Sequence, residues 1–208
     1  MINARKRFWK NFEIPLIDEE LITKKLKIAL DVDGVLADVI HAWIHYNNKI
    51  RTPISKEEIS EWDFWKRYQI NKYDFYKELS LCWQTWHKIP STEENLSTST
   101  SIMSQVGEVD IVTAREEHTH TFVKSWLSSQ KIVYKNYVGV LEGIEKTKLN
   151  YDIFIDDSPI NAKSMLDDGK SVILYSQPWN LRFDDPRAKR ISQLKDAIPI
   201  IKTLIQEA

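Results

Sequence analysis

Four carboxylates carry most of the chemistry this sequence offers. Asp31 and Asp33 stand at i and i+2 in "IALDVDGVLAD" (28–38), and Asp156 and Asp157 are adjacent in "YDIFIDDSP" (151–159). Both pairs follow apolar runs, where acidic residues are disfavoured, and burying a carboxylate without a partner is costly. In extended backbone Asp31 and Asp33 project to the same side, and Gly34 then lets the chain turn sharply away. Four converging carboxylates would repel one another, and some would take up protons. A hard divalent cation relieves that conflict. With few carboxylates, waters and substrate oxygens as ligands, Mg²⁺ is the natural one. A cation beside a free carboxylate points to phosphoryl chemistry. Asp31 is suited to attack phosphorus, giving an aspartyl-phosphate that water then hydrolyses. Asp33 is suited to protonate the leaving alkoxide and afterwards deprotonate the water. Mg²⁺ and a lysine, Lys146 or Lys148, offset the repulsion between an anionic nucleophile and an anionic phosphate. The Thr113 hydroxyl, ending "DIVT", and backbone N–H groups at the next helix start are donors to the phosphate oxygens.

These residues need strands to present them. "KIALDVDG" reads as a buried strand ending in a turn, apolar on both faces as parallel strands tend to be. Similar signals recur in "EVDIVTAR" (108–115), "KIVYK" (131–135), "YDIFIDDSP" and "KSVILY" (170–175). Helical patterns lie between most of them. "STEENLSTSTSIMSQV" opens with a capping box, Ser91 to Glu94, and puts Leu96, Met103 and Val106 on one stripe. "HTFVKSWLSSQ" offers Phe122, Val123, Trp126 and Leu127 at helical spacing, "SPINAKSMLDDG" is a short helix stopped by Gly169, and "LKDAIPIIKTLIQ" carries Pro199 in a first turn. Alternating strands and helices imply an α/β fold: a Rossmann-like, mostly parallel sheet flanked by helices, with ligands beyond the carboxyl ends of its strands. The segment 39–90 departs from this pattern. It holds 11 of the 23 aromatics and no glycine, and reads as a helical cap inserted after the first core strand. The expected organisation is an N-terminal arm (1–26) with Phe8, Trp9 and Phe12 free to dock, a core (27–38 and 91–208) and an aromatic-rich cap (39–90).

In order, "DVDGVLAD", "IVTAR", Lys146 and "IDDSP" resemble the four motifs of the haloacid dehalogenase-like phosphohydrolases, over roughly 27–38 and 106–180. Asp38, "IDDSP" and "QPWN" (177–180) are most similar to the 5′(3′)-deoxyribonucleotidase branch. The resemblance implies Asp31 as nucleophile and Asp33 as acid/base. It implies Mg²⁺ bound by Asp31, the Asp33 carbonyl and Asp156, with Asp157 supporting, and phosphate held by Thr113 and Lys146. It favours Lys146 over Lys148, since "KT" ten residues before the aspartate pair fits that branch better. The cap takes the place of the family's mobile, substrate-selecting cap. One departure stands out: Ala114 and Arg115 follow Thr113 where that branch tends to have Ser-Pro. The Ala114 N–H remains a phosphate donor, and substrate identity is what the departure puts in question.

The implied substrate is a nucleoside monophosphate. Alternatives are another small phosphomonoester, such as a sugar phosphate, a nucleic-acid end, or a non-catalytic nucleotide- or protein-binding role. A net charge of −1 disfavours long nucleic acid, and no apolar stretch approaches a membrane span. A single cysteine, Cys82, excludes an internal disulfide and a multi-cysteine zinc site, consistent with a cytoplasmic protein. Oligomeric state is left open. Most cap aromatics read as packing, with Trp43 and Trp86, flanking the hinges, as base-stacking candidates. Asp38 reads as the N-cap of the following helix. Arg115 is either a substrate contact or a solvated helix-start residue. His41, His45, His87, His118 and His120 lack a third ligand at metal spacing and read as surface or structural residues.

Overall fold

The computed structural model describes residues 25–207, so the expected arm at 1–26 lies almost wholly outside the described residues. Six strands, β1 Lys27–Leu30, β2 Glu108–Ala114, β3 Tyr137–Val140, β4 Ile153–Asp156, β5 Ser171–Tyr175 and β6 Lys189–Ile191, form one sheet in the order β3-β2-β1-β4-β5-β6. Every pairing is parallel. Six α-helices accompany them: α1 Val39–Asn47, α2 Lys72–Gln84, α3 Leu96–Val106, α4 His120–Ser129, α5 Pro159–Asp167 and α6 Ala197–Glu207.

Period-two alternation sorts the strand side chains onto two faces. Ile28, Leu30, Ile111, Ile153 and Ile155 pack on one face with Met103 of α3, Trp126 of α4 and Ile201 of α6. Ala29, Val112, Phe154 and Leu174 pack on the other with Ala162 and Met165 of α5. Both faces are dry, which is why these strands read as continuous apolar runs. Strand order reverses on either side of β1, so the crevice between β1 and β4 is the topological switch point, where open α/β sheets bind ligands. The register places Leu30 level with both Ile111 and Ile155, so the residues just beyond them meet at one sheet end.

Residues 39–90 are helical, as expected, and the chain enters and leaves them side by side. The Asp38 N–H donates to the Pro90 carbonyl at 2.8 Å, and Ala37 bridges Ser91. Between α1 and α2 run short 3-10 turns, Lys56–Glu58 and Phe64–Tyr68. The insertion has its own aromatic core. Trp43, Phe64 and Phe75 meet edge to face with centroids 5.1–5.5 Å apart, and Trp65 stacks on Phe75 at 4.3 Å.

Two expectations fail locally, and one strand was not expected. No strand forms at 131–135; β3 starts at Tyr137, because the chain leaving α4 turns through Lys131 (φ +54°) and must cross to the sheet edge before pairing. The capping box at Ser91–Glu94 is absent. Instead α3 starts after Asn95 in the left-handed region, and Glu93 accepts from the Tyr175 hydroxyl and the Leu194 N–H. Strand β6 gave no signal, being three residues long with Lys189 and Arg190 exposed. Gly169 (φ +75°) follows α5, and Pro199 sits in the first turn of α6. Among the described residues, no helix is long and apolar enough to cross a membrane.

Candidate active site

Asp31 follows β1 directly. Its N–H still donates to the Ile155 carbonyl at 3.0 Å, and its Oδ1 accepts from the Val32 N–H at 2.8 Å. The turn that follows needs Gly34, which has φ +76°. An added Cβ would clash with Asp157 Oδ2, so the backbone approaches that carboxylate as only glycine permits. Asp156 ends β4, and its Oδ1 accepts from the Ser158 N–H at 2.8 Å. Ser158 in turn caps α5 ahead of Pro159.

Buried carboxylate oxygens of Asp31, Asp156 and Asp157 lie within 4.8 Å of one another. Lys146, from the 3-10 turn Gly143–Lys148, puts its buried Nζ 2.9 Å from Asp31 Oδ2 and 2.8 Å from Asp156 Oδ2, whereas Lys148 is exposed. Burial works against the Lys146 ammonium, but Asp156 and Asp31 outweigh it and hold its pKa above the ordinary value. The carboxyls respond in the opposite sense. Burial, only partly countered by Lys146, pushes Asp31 up to about 7. Asp157 is pushed well above the usual carboxylate range by burial and by its neighbours Asp156 and Asp31. One ammonium thus leaves three buried carboxylates short of positive charge, and their oxygen-only donor set fits a hard divalent cation.

Asp33 stands apart from this trio. Its Oδ1 accepts from Trp83 Nε1 at 3.2 Å and its Oδ2 from Arg115 Nη1 at 2.6 Å. Burial raises its pKa, with Arg115 and Lys146 opposing. The Thr113 hydroxyl, at the end of β2, is buried and has no hydrogen-bond partner, and Arg115 Nε is likewise unpaired. Such orphans are rare in a finished interior, and both groups are free to donate to a polar ligand. Ala114 closes β2, half-buried. The "QPWN" stretch buttresses the site: Trp179 Nε1 donates to Asp157 Oδ2 at 2.9 Å, Asn180 Nδ2 to the Asp157 carbonyl at 2.8 Å, and Gln177 Nε2 to the Gly34 carbonyl at 2.6 Å.

The structure therefore brings together Asp31, Asp33, Thr113, Arg115, Lys146, Asp156 and Asp157. It does not bring Trp43 or Trp86 to them. Trp43 is fully buried in the insertion, its indole N–H donating to Glu78, so it has no face for a base. Trp86 lines a surface depression with Lys124 and Ser128 of α4. The solvated reading of Arg115 also fails, since its side chain is 3% exposed and ion-paired. Asp38 does cap α1, accepting from the His41 N–H at 3.1 Å while also pairing with Lys56. His41, His45, His87 and His118 are exposed; His120 is half-buried, with Nδ1 2.7 Å from the Tyr137 hydroxyl. Burial pushes the Cys82 thiol up to about 12, which leaves it a poor nucleophile. Trp83 and Trp179 were missed as site residues. A tryptophan at helical spacing looks like core, and only the quoted "QPWN" hinted at the second.

Residues 24–205 match the model of the family described as 5′ nucleotidase, deoxy (pyrimidine), cytosolic type C protein. Among curated relatives, the 5′(3′)-deoxyribonucleotidase of Bacillus subtilis is 30% identical over 159 residues, covering 75% of this chain and 88% of that protein. A nucleotidase of Clostridium acetobutylicum is 25% identical over 164 residues, covering 76% and 83%. Among solved structures, a phosphonoacetaldehyde hydrolase-like protein from Oleispira antarctica matches with a TM-score of 0.60 at 10% identity, over 88% of this chain and 93% of that one, a likeness of fold. On the sequence match, the chain belongs to the family described as 5′ nucleotidase, deoxy (pyrimidine), cytosolic type C protein.

Proposed function

We propose that the protein is a Mg²⁺-dependent phosphomonoesterase that removes phosphate from nucleoside monophosphates, deoxyribonucleotides preferred, through an aspartyl-phosphate on Asp31. The observation that carries this reading is the buried trio Asp31, Asp156 and Asp157, held around Lys146 at the sheet end where β2 also brings the unpartnered Thr113 hydroxyl. Asp31, the Asp33 carbonyl and Asp156 would hold the cation, with Asp157 supporting. When bound, Mg²⁺ supplies the positive charge that lets an anionic nucleophile meet an anionic phosphate.

The side chains divide the rest of the work. Lys146 neutralises charge on Asp31 and on the entering phosphate. The Thr113 hydroxyl and the Ala114 N–H donate to the phosphate oxygens that Asp31 does not displace. Asp33 gives its proton to the departing ester oxygen, then takes one from the water that attacks the acylphosphate. Residues 39–90 act as a cap over this sheet end. Its helix α2 carries Tyr76, an exposed aromatic two turns ahead of Trp83, the residue of the same helix that reaches Asp33. That proximity makes Tyr76 the cap aromatic best suited to face a bound nucleoside, in place of Trp43 and Trp86. Base stacking of this kind is worth about 1–3 kcal/mol in single-strand binding proteins.

The test is phosphate release from a panel of deoxy- and ribonucleoside 3′- and 5′-monophosphates, sugar phosphates and an aryl phosphate, with Mg²⁺ and with chelator. Hydrolysis that needs Mg²⁺, favours deoxynucleotides and disappears in Asp31→Asn is expected. Turnover in chelator equal to that in Mg²⁺, or full activity in Asp31→Asn, would sink the reading.

A further inference from the structure

Both oxygens of the Asp33 carboxylate are engaged, each by a different part of the chain. Trp83, on α2 of the insertion, donates to Oδ1, and Arg115, one residue past β2, donates to Oδ2. The two donors brace each other as well, with the Arg115 guanidinium carbon 5.2 Å from the Trp83 ring centroid. Next along the chain, Glu116 Oε2 accepts from Ser80 Oγ of α2 at 2.9 Å, so a second bond ties the same helix to the same loop. Arg115 is almost wholly withdrawn from water, and an arginine so placed is costly unless its partner needs it.

We infer that Arg115 is the positioning residue for Asp33, and that with Trp83 it makes the aim of the acid/base depend on α2 being seated against the core. The inference rests on the reading of Asp33 as acid/base. Two hydrogen bonds, one to each oxygen, stop the carboxyl group rotating about its Cβ–Cγ bond. In the first step a bond forms from an Asp31 oxygen to phosphorus while the bond from phosphorus to the ester oxygen breaks, and the Asp33 proton goes to that oxygen. In the second, the Asp33 carboxylate takes a proton from water as water oxygen bonds to phosphorus and the Asp31–phosphorus bond breaks. Arg115 gives and takes no proton in either step; it sets where Asp33 points.

The measurement is kcat/KM with Mg²⁺ on a deoxynucleoside 5′-monophosphate and on 4-nitrophenyl phosphate. This constant reports steps only as far as loss of the alcohol. A departing nucleoside needs a proton and 4-nitrophenolate does not, so faulty aim of Asp33 harms the two substrates unequally. In Arg115→Met, the nucleotide value should fall about 30-fold or more and the aryl value less than about 3-fold, a partial loss of the roughly 10²–10⁴-fold ascribed to general acid–base catalysis. Trp83→Phe keeps the ring under the guanidinium, loses only the indole N–H, and should show the same imbalance at several-fold; it carries the test if Arg115→Met does not fold. Asp33→Asn is the reference. If Asp33→Asn shows the imbalance and the Arg115 and Trp83 variants lose equally on both substrates, the inference is overturned and the acid/base reading stands. If Asp33→Asn shows no imbalance, the acid/base reading itself is overturned.

Discussion

At Gly34 the backbone stands at φ +76° with an Asp157 carboxylate oxygen where a Cβ would go. Gly34→Ala must either push that carboxylate out of the trio or reopen the turn, in addition to about 1 kcal/mol of left-handed strain. The expected outcome is a lower Tm together with loss of most phosphatase activity, read by thermal unfolding and phosphate release. Trp179 makes a milder test, since its indole N–H holds Asp157 Oδ2 from outside the trio. Trp179→Phe keeps the ring and removes the donor. Losing an outer partner of a metal-holding carboxylate commonly costs about 10- to 100-fold in metal affinity. The Mg²⁺ concentration for half-maximal activity should rise by that order, while activity at saturating Mg²⁺ falls little. An unchanged Mg²⁺ requirement would separate Asp157 from cation binding.

Within the insertion, Trp43 shows how an element that serves a site is stabilised away from it. Its indole N–H reaches Glu78, whose carboxylate also accepts from Arg51 Nη1 at 3.0 Å, and its ring meets Phe64 and Phe75. Trp43→Phe should cost about 1–3 kcal/mol through the weakened support of a buried carboxylate and a smaller ring. Its KM for nucleotide should stay within about 2-fold of wild type, because Trp43 offers no surface to substrate; a tenfold rise would restore it as a base contact. Helix α2 is also where sequence reading met its limit. A lack of glycine and a wealth of aromatics marked 39–90 as helical, but Trp83 of α2 and Trp43 of α1 have the same local signature. One turns toward Asp33 and the other into the insertion's core. Burial of a helix face depends on what packs against it, and for α2 that includes a loop more than thirty positions downstream.

For the molecule as a whole, the trio's surplus negative charge links cation binding to folding. A cation that binds the folded chain alone raises stability as RT ln(1 + [L]/Kd), about 2.7 kcal/mol at a hundredfold excess over Kd. Thermal unfolding in millimolar Mg²⁺ should therefore give a higher Tm than in chelator, and Asp156→Asn should remove most of that gain. A gain undiminished by Asp156→Asn would place the cation elsewhere. The sheet order makes this linkage possible. β1 and β4 are neighbours at the switch point although more than a hundred residues separate them, so Asp31 meets Asp156 and Lys146 only in the folded chain.

The sequence by itself determined the α/β class, the helical character of 39–90 and the carboxylate pairs at strand ends, and narrowed the companion lysine to Lys146 or Lys148. These are legible because apolar runs, period-two alternation, a glycine at a turn and the order of motifs are properties of short stretches. Only the tertiary structure decided that β3 starts at Tyr137 rather than in "KIVYK", that Trp43 is core, and that Arg115 and Trp83 grip Asp33. The last pair shows the reason most plainly: Arg115 and Asp33 are 82 positions apart, and neither residue's neighbours along the chain refer to the other. Their ion pair exists because parallel pairing sets β2 beside β1 in one register, and no local pattern encodes that distance.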